Sequence, residues 1–217
     1  MIRPYRDEDR RAVRDICFET GYLGAPVVHL WRDQESFADM FSGYYTDREP
    51  ESAFVAEVDG RVVGYLLGCR DSRRVPSELR VLGHHVVRRG IALRPGTAGF
   101  LWRAAADVAG DAVRHQLASP PRFDERWPAH LHIDLLPHGR GRGLGAALVR
   151  TWLDLLRSEG VAGCHLGTFA ENLPAIAFFE SEGFERYGRQ ELVPGMRSPE
   201  GGRHHTQLMV QSLSSRG

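Results

Sequence analysis

The sequence contains no lysine, and all 28 basic side chains among its 217 residues are arginine. The protein therefore carries no side-chain ε-amine. The arginines are matched by 28 acidic residues, so no net field draws the molecule onto nucleic acid or an anionic membrane, and neither is expected as a partner. Cysteine is scarce. Cys17, Cys69 and Cys164 are widely spaced in apolar surroundings and form neither an even disulfide framework nor a CxxC metal knuckle, which points to a reducing, cytoplasmic setting. No stretch approaches the ~18 uninterrupted apolar residues of a membrane span. The start, Met1-Ile2-Arg3-Pro4-Tyr5-Arg6-Asp7, lacks an apolar leader core, so a soluble, unprocessed chain is expected. Metal-binding HxxxH spacing is missing too. His84-His85 and His204-His205 are adjacent pairs that point oppositely if they lie in strands, so no metal is expected.

What is present is enough apolar material, 42% of residues, to fill the core of one mixed α/β (α+β) domain over residues 1–217. Residues 2–5 read as a strand, 7–19 as an amphipathic helix, 33–45 as a second helix and 46–52 as a loop. Ala53–Val58 and Arg61–Cys69 are β-rich and separated by Asp59-Gly60, the signal for a type I′ hairpin. Residues 70–128 form an insert with a helix over 99–116 and irregular stretches at 88–96 and 119–128, expected to pack on the main domain. From Ala129 the pattern sharpens, as Leu131, Ile133 and Leu135 alternate with His130, His132 and Asp134 in a period-two strand. A glycine-rich loop follows, then a helix marked by Leu144, Leu148, Trp152 and Leu155 and ended at Gly160, then a strand over 161–168. Asn172 can cap a last helix, which Gly183 stops before β-segments at 184–192 and 205–213. The expected order is β-α-α-β-β-(insert)-β-α-β-α-β-β.

The loop Gly139-Arg140-Gly141-Arg142-Gly143-Leu144-Gly145 joins a strand to a helix and suits a bound phosphate. Glycines let several N–H groups converge on one anion, the helix start adds positive potential, and Arg140 and Arg142 add full charges. A Walker loop is excluded because it needs a lysine. A dinucleotide loop needs GxGxxG in an early βαβ unit, whereas this one is GxGxG and follows an antiparallel half.

Arg140-Gly141-Arg142-Gly143-Leu144-Gly145 resembles the acyl-donor loop of the GNAT acetyltransferases: Arg or Gln, two free positions, Gly, one free position, then Gly or Ala. Asn172-Leu173-Pro174-Ala175-Ile176-Ala177-Phe178-Phe179-Glu180-Ser181-Glu182-Gly183-Phe184 is similar to that family's second element, NxxAxxFYxxxGF. Residues 2–5, Gly64-Tyr65-Leu66-Leu67-Gly68, the long insert and Ile133-Asp134 further resemble the C-terminal acetyltransferase-like domain of O-GlcNAcase, in the manner of its bacterial relatives that keep the phosphate loop. The resemblance implies a GNAT fold, with a mixed, mostly antiparallel sheet splayed at the strand before the loop. It implies acetyl-CoA as acetyl donor, bound by Leu135, Leu136, the loop from Arg140 to Gly145, Asn172, Ala175 and Phe179. It also implies an amine acceptor, either a small molecule or a protein or peptide.

Acetyl transfer needs a neutral amine, so something must accept a proton. His130, His132 and Asp134 share one strand face leading to the splay; Asp134 ranks first as base or ammonium anchor, His132 second, and His130 is given no role. The family's usual tyrosine acid falls at Phe179, which has no proton to give. Cys164 is read as structural. Trp31, Trp102 and Trp127 are candidates for walls of an acceptor groove, with aromatic packing as the alternative. Three functions stay open: acetyl transfer to an amine, acetyl-CoA binding without catalysis, and an interaction protein built on the same scaffold.

Overall fold

A computed structural model describes residues 1–94, 97–113, 124–198 and 200–213. Seven strands form one sheet in the order β1-β2-β3-β4-β5-β7-β6. The strands are β1 Ile2–Pro4, β2 Ala53–Val58, β3 Arg61–Cys69, β4 Ala129–Leu135, β5 Gly163–Phe169, β6 Glu185–Arg197 and β7 Arg203–Ser212. Every neighbouring pair is antiparallel except β4 and β5, which are parallel. The β2–β3 turn has the expected handedness, with φ of 50° at Asp59 and 72° at Gly60.

Among the described residues seven α-helices cover the sheet: α1 Arg10–Thr20, α2 Gln34–Ala38, α3 Tyr44–Arg48, α4 Glu78–Arg89, α5 Thr97–Val113, α6 Leu144–Ser158 and α7 Leu173–Ser181. Strand alternation sorts residues to two cores. Leu66 and Leu131 join Leu148, Trp152 and Leu156 of α6 on one face. Tyr65 and Leu67 join Val13 and Ile16 of α1, together with Tyr45, on the other. Trp152 is fully buried, and its truncation to alanine would cost about 3–5 kcal/mol.

Three local expectations need correction, one of them the irregular stretch at 88–96, where Arg88 and Arg89 end helix α4 and Ile91–Leu93 form a 3-10 turn. Residues 46–48 are not loop, because a wide π turn, Asp39–Gly43, carries the chain straight from α2 into α3. A short 3-10 turn, Pro50–Ser52, follows. His84 and His85 lie on helix α4, not in a strand, so the opposite-face argument does not apply to them. Helix α4 itself was not legible, since Gly83 and the β-branched Val81, Val86 and Val87 lower its intrinsic propensity. Tertiary contact supplies what propensity lacks, with Leu82 and Val86 packing against the α1 core and Gly90 ending the helix in the left-handed conformation.

The expected helix over 99–116 is α5 as far as Val113; its last three residues, and 119–123 of the irregular stretch, lie outside the described residues. Helix α5 is clamped to the β6–β7 hairpin. Asp107 accepts from Arg197 and from the Gly195 N–H at 2.8 Å each, and Asp111 accepts from Arg203 at 2.6 and 2.9 Å. No helix among the described residues is long and apolar enough to cross a membrane.

Candidate active site

Strands β4 and β5 are paired at Ala129 with Cys164 and His130 with His165, and then part. Leu136 donates its N–H to Val63 across β3 at 2.9 Å, so by strand alternation the N–H of Leu135 faces the gap. The chain then makes a 3-10 turn, Pro137–Gly139, before the glycine loop. Gly141 and Gly143 hold φ of 71° and 73°, and nothing lies within 4 Å of where a Cβ would stand on either. The first bond of α6 runs from the Ala147 N–H to Gly143 at 3.0 Å, so the amides before it have no helical partner.

Arg140 folds back as a staple, Nε to the Leu135 carbonyl at 2.9 Å and Nη2 to the Gly24 carbonyl at 2.8 Å, while Arg142 is exposed. A Cβ on Gly145 would meet the Phe178 ring at 3.3 Å and Leu135 Cδ1 at 3.6 Å, so α6 and α7 close on the gap from one side. Asn172 caps α7, its Oδ1 accepting from the Ala175 N–H at 3.3 Å. Phe179 is buried between Phe178 and Phe184, with ring centroids 5.1 and 5.9 Å away. An open cradle of amides, lined by glycines and flanked by arginines, fits a diphosphate.

The opposite side of β4 carries the polar residues. Asp134 is half-buried, and Tyr65 donates its phenol to Asp134 Oδ2 at 2.6 Å. Desolvation raises the Asp134 carboxyl to about 6, against the opposing hydrogen bonds of Tyr65 and Thr20. Burial lowers His132 to about 4, so this imidazole is neutral near pH 7. Tyr45 and Phe41 stand over His132 with ring centroids at 5.3 and 6.5 Å. His130, given no role from sequence, holds a structural link: Nε2 is 2.7 Å from the Tyr45 hydroxyl and Nδ1 is 2.7 Å from Ser72 Oγ. Burial holds its pKa well below the usual histidine value.

Residues 24–184 match the family model described as Acetyltransferase (GNAT) family. The chain belongs to the GNAT acetyltransferases. It is 30% identical to SsHAT, whose crystal structure is known, over 99% of this chain and 98% of that one with a TM-score of 0.65. A GNAT superfamily phosphinothricin acetyltransferase from Sinorhizobium meliloti, solved in complex with AcCoA, has the same fold at 18% identity and a TM-score of 0.60, covering 99% of this chain and 88% of that one. Mycothiol acetyltransferase of Arthrobacter sp. (strain FB24) is 23% identical over 199 residues, or 86% of this chain, and the match spans 58% of that relative's length.

Of the three tryptophans singled out in the sequence, two are packed and one is exposed. Trp31 is buried and donates to Ser36 Oγ at 2.9 Å, Trp127 packs on Tyr187 at 4.8 Å, and Trp102 is 75% exposed on α5. Cys164 sits in the core, where burial pushes its thiol up to about 12, which leaves no thiolate for nucleophilic attack. Tyr65, Tyr45 and Phe41 were missed from sequence. They are distant in the chain from Asp134 and His132, and only strand register and the π turn bring them together.

Proposed function

We propose that this chain is an acetyl-CoA-dependent N-acetyltransferase acting on a primary amine by direct transfer. The observation that carries the reading is the half-buried Asp134, raised to about 6, on the strand that parts from its parallel neighbour directly before the amide cradle. The amides of residues 141–145, with Arg140 and Arg142, hold the donor's diphosphate. Leu135, Leu136, Asn172, Ala175 and Phe179 flank its arm. Bound there, acetyl-CoA supplies the acetyl group as a thioester, whose carbon–sulfur bond breaks as the amine nitrogen bonds to the carbonyl carbon.

Asp134 takes the proton of the arriving ammonium and so frees the lone pair that attacks. A base near 6 is ionised at neutral pH yet more basic than an ordinary carboxylate, whereas His132 at about 4 is the weaker base. Phe179 gives no proton on the leaving side, so departure rests on the low basicity of a thiol, with a pKa of about 8.5. Acetyl-CoA and an amine panel, followed by thiol release, test the reading. Asp134→Asn should abolish turnover while calorimetry still detects the donor, and turnover that survives this substitution overturns the assignment.

Phe179 favours a second reading, a protein that binds acetyl-CoA with little or no turnover. Under that reading Phe179→Tyr raises the rate of thiol release; under direct transfer with an unassisted leaving group it changes little. The likeness of residues 2–5 and 64–68 to the acetyltransferase-like domain of O-GlcNAcase, a cytoplasmic setting and a single domain over residues 1–217 belong to the same proposal.

A further inference from the structure

Aromatic rings run in an unbroken line from the insert to the polar face of β4. Phe100 of α5 meets Trp31 at 5.6 Å, Trp31 meets Phe37 at 6.3 Å, Phe37 meets Phe41 at 4.7 Å, and Phe41 meets His132 at 6.5 Å. Trp31 and Phe37 are buried and form the base of this wall, whereas Phe41 and Phe100 keep part of their surface open. The π turn puts Phe41 and Tyr45 against the same imidazole. Two steps along β4 from His132, on the same strand face, stands Asp134.

Most arginines around the wall are already paired with carboxylates. Arg14 is paired with Glu35 and Asp39, Arg89 and Arg94 with Asp33, Arg197 with Asp107, and Arg203 with Asp111. The hydrogen-bond partner of Asp134 is a neutral phenol rather than a guanidinium. An anionic group on the acceptor would meet the Asp134 carboxylate and arginines already held, Arg140 by the Leu135 and Gly24 carbonyls and the others by acids. A polyhydroxylated body would leave hydroxyls unsatisfied against Phe41 and Phe100. An ammonium on an aromatic body meets a carboxylate at one end and ring faces along its length.

We propose that the acceptor is a primary amine on an aromatic body without an anionic group, its ring against Phe41 and its nitrogen at Asp134. This inference rests on the N-acetyltransferase reading above and deepens it by naming the class of acceptor.

The test compares phenylethylamine, n-butylamine, glucosamine and glutamate, by thiol release with acetyl-CoA and by quenching of tryptophan fluorescence without turnover. The expected result is a kcat/KM for phenylethylamine about tenfold or more above the other three. Phe41→Ala should lower kcat/KM for phenylethylamine by about tenfold and for n-butylamine by a smaller factor, so that most of the preference is lost. Phe41→Leu, which keeps apolar volume, serves where the alanine variant unfolds. Turnover with equal preference, or with glutamate or glucosamine favoured, overturns the acceptor class and leaves acetyl transfer standing. Absence of all turnover, with tighter binding of phenylethylamine that Phe41→Ala weakens, overturns the transfer reading and leaves the aromatic site standing. Equal binding of all four without turnover overturns both.

Discussion

Tyr65 and Asp134 stand opposite one another in the register of β3 and β4, and the phenol of the first donates to Oδ2 of the second at 2.6 Å. A neutral donor holds the carboxylate in place, and the Arg140 guanidinium adds only the smallest of the contributions that lower its basicity. Desolvation then outweighs the hydrogen bonds and leaves the group near 6.

The pH dependence follows from that balance. With Asp134 as base, kcat/KM rises through an apparent pKa of about 6 on the acid side, and Asp134→Asn removes the inflection together with the activity. Stability moves the other way. A carboxyl raised from 3.8 to about 6 binds more protons folded than unfolded, so its penalty is absent below pH 4 and fully present above about pH 6. Asp134→Asn should therefore stabilise the protein at pH 8 by on the order of 1–2 kcal/mol and have little effect at pH 4, as read from urea unfolding at the two pH values.

Tyr65→Phe separates the donor from the carboxylate. Loss of the phenol removes a contribution that lowers the Asp134 pKa, so the acid-side inflection should shift toward higher pH. Unfolding at pH 8 should show a loss of about 1–2 kcal/mol, and less at pH 4 where the carboxyl is neutral. An unchanged profile would mean that another group titrates.

The site was legible where local chemistry decides and illegible where register does. Asp59-Gly60 specifies a turn, and Arg140 to Gly145 specifies a loop, from adjacent residues alone. The polar face of His130, His132 and Asp134 follows from period two. Tyr65, however, lies 69 residues from Asp134 in sequence, and no local pattern announces the pairing. Helix α4 was hidden for the opposite reason, because contacts with the α1 core outweigh the cost of Gly83 and its valines. The π turn adds a residue per turn that a 3.6-residue period cannot express, and with it Phe41 and Tyr45 reach His132.

Gly143 and Gly160 lie beyond opposite ends of α6 with φ of 73° and 70°, and a Cβ on either has nothing within 4 Å. Alanine at each position pays the same left-handed strain, about 1–2 kcal/mol. Only Gly143 lies in the amide cradle. Gly143→Ala should therefore weaken acetyl-CoA binding about tenfold or more by calorimetry, whereas Gly160→Ala should lower the melting temperature comparably and leave affinity unchanged. Equal affinities in the two variants would remove the loop from the donor site.

Asp107 ties the insert to the sheet and so controls the far end of the aromatic wall. Its hydrogen bonds to Arg197, assisted by the Gly195 N–H, hold the carboxyl down at about 2. A depressed carboxyl contributes stability that is complete above about pH 4 and is lost as pH falls through about 2. Asp107→Asn should cost about 1–2 kcal/mol at pH 7, seen as faster amide exchange in α5 than in α6. Phe100 rides on α5, where a Cβ at Gly195 would come within 3.0 Å of its ring. Loosening the clamp should accordingly raise KM for an aromatic amine several-fold with little change in kcat, because the ring contacts bind the acceptor while the reacting nitrogen stays with Asp134. A fall in kcat alone would place the role of the insert in the chemical step instead.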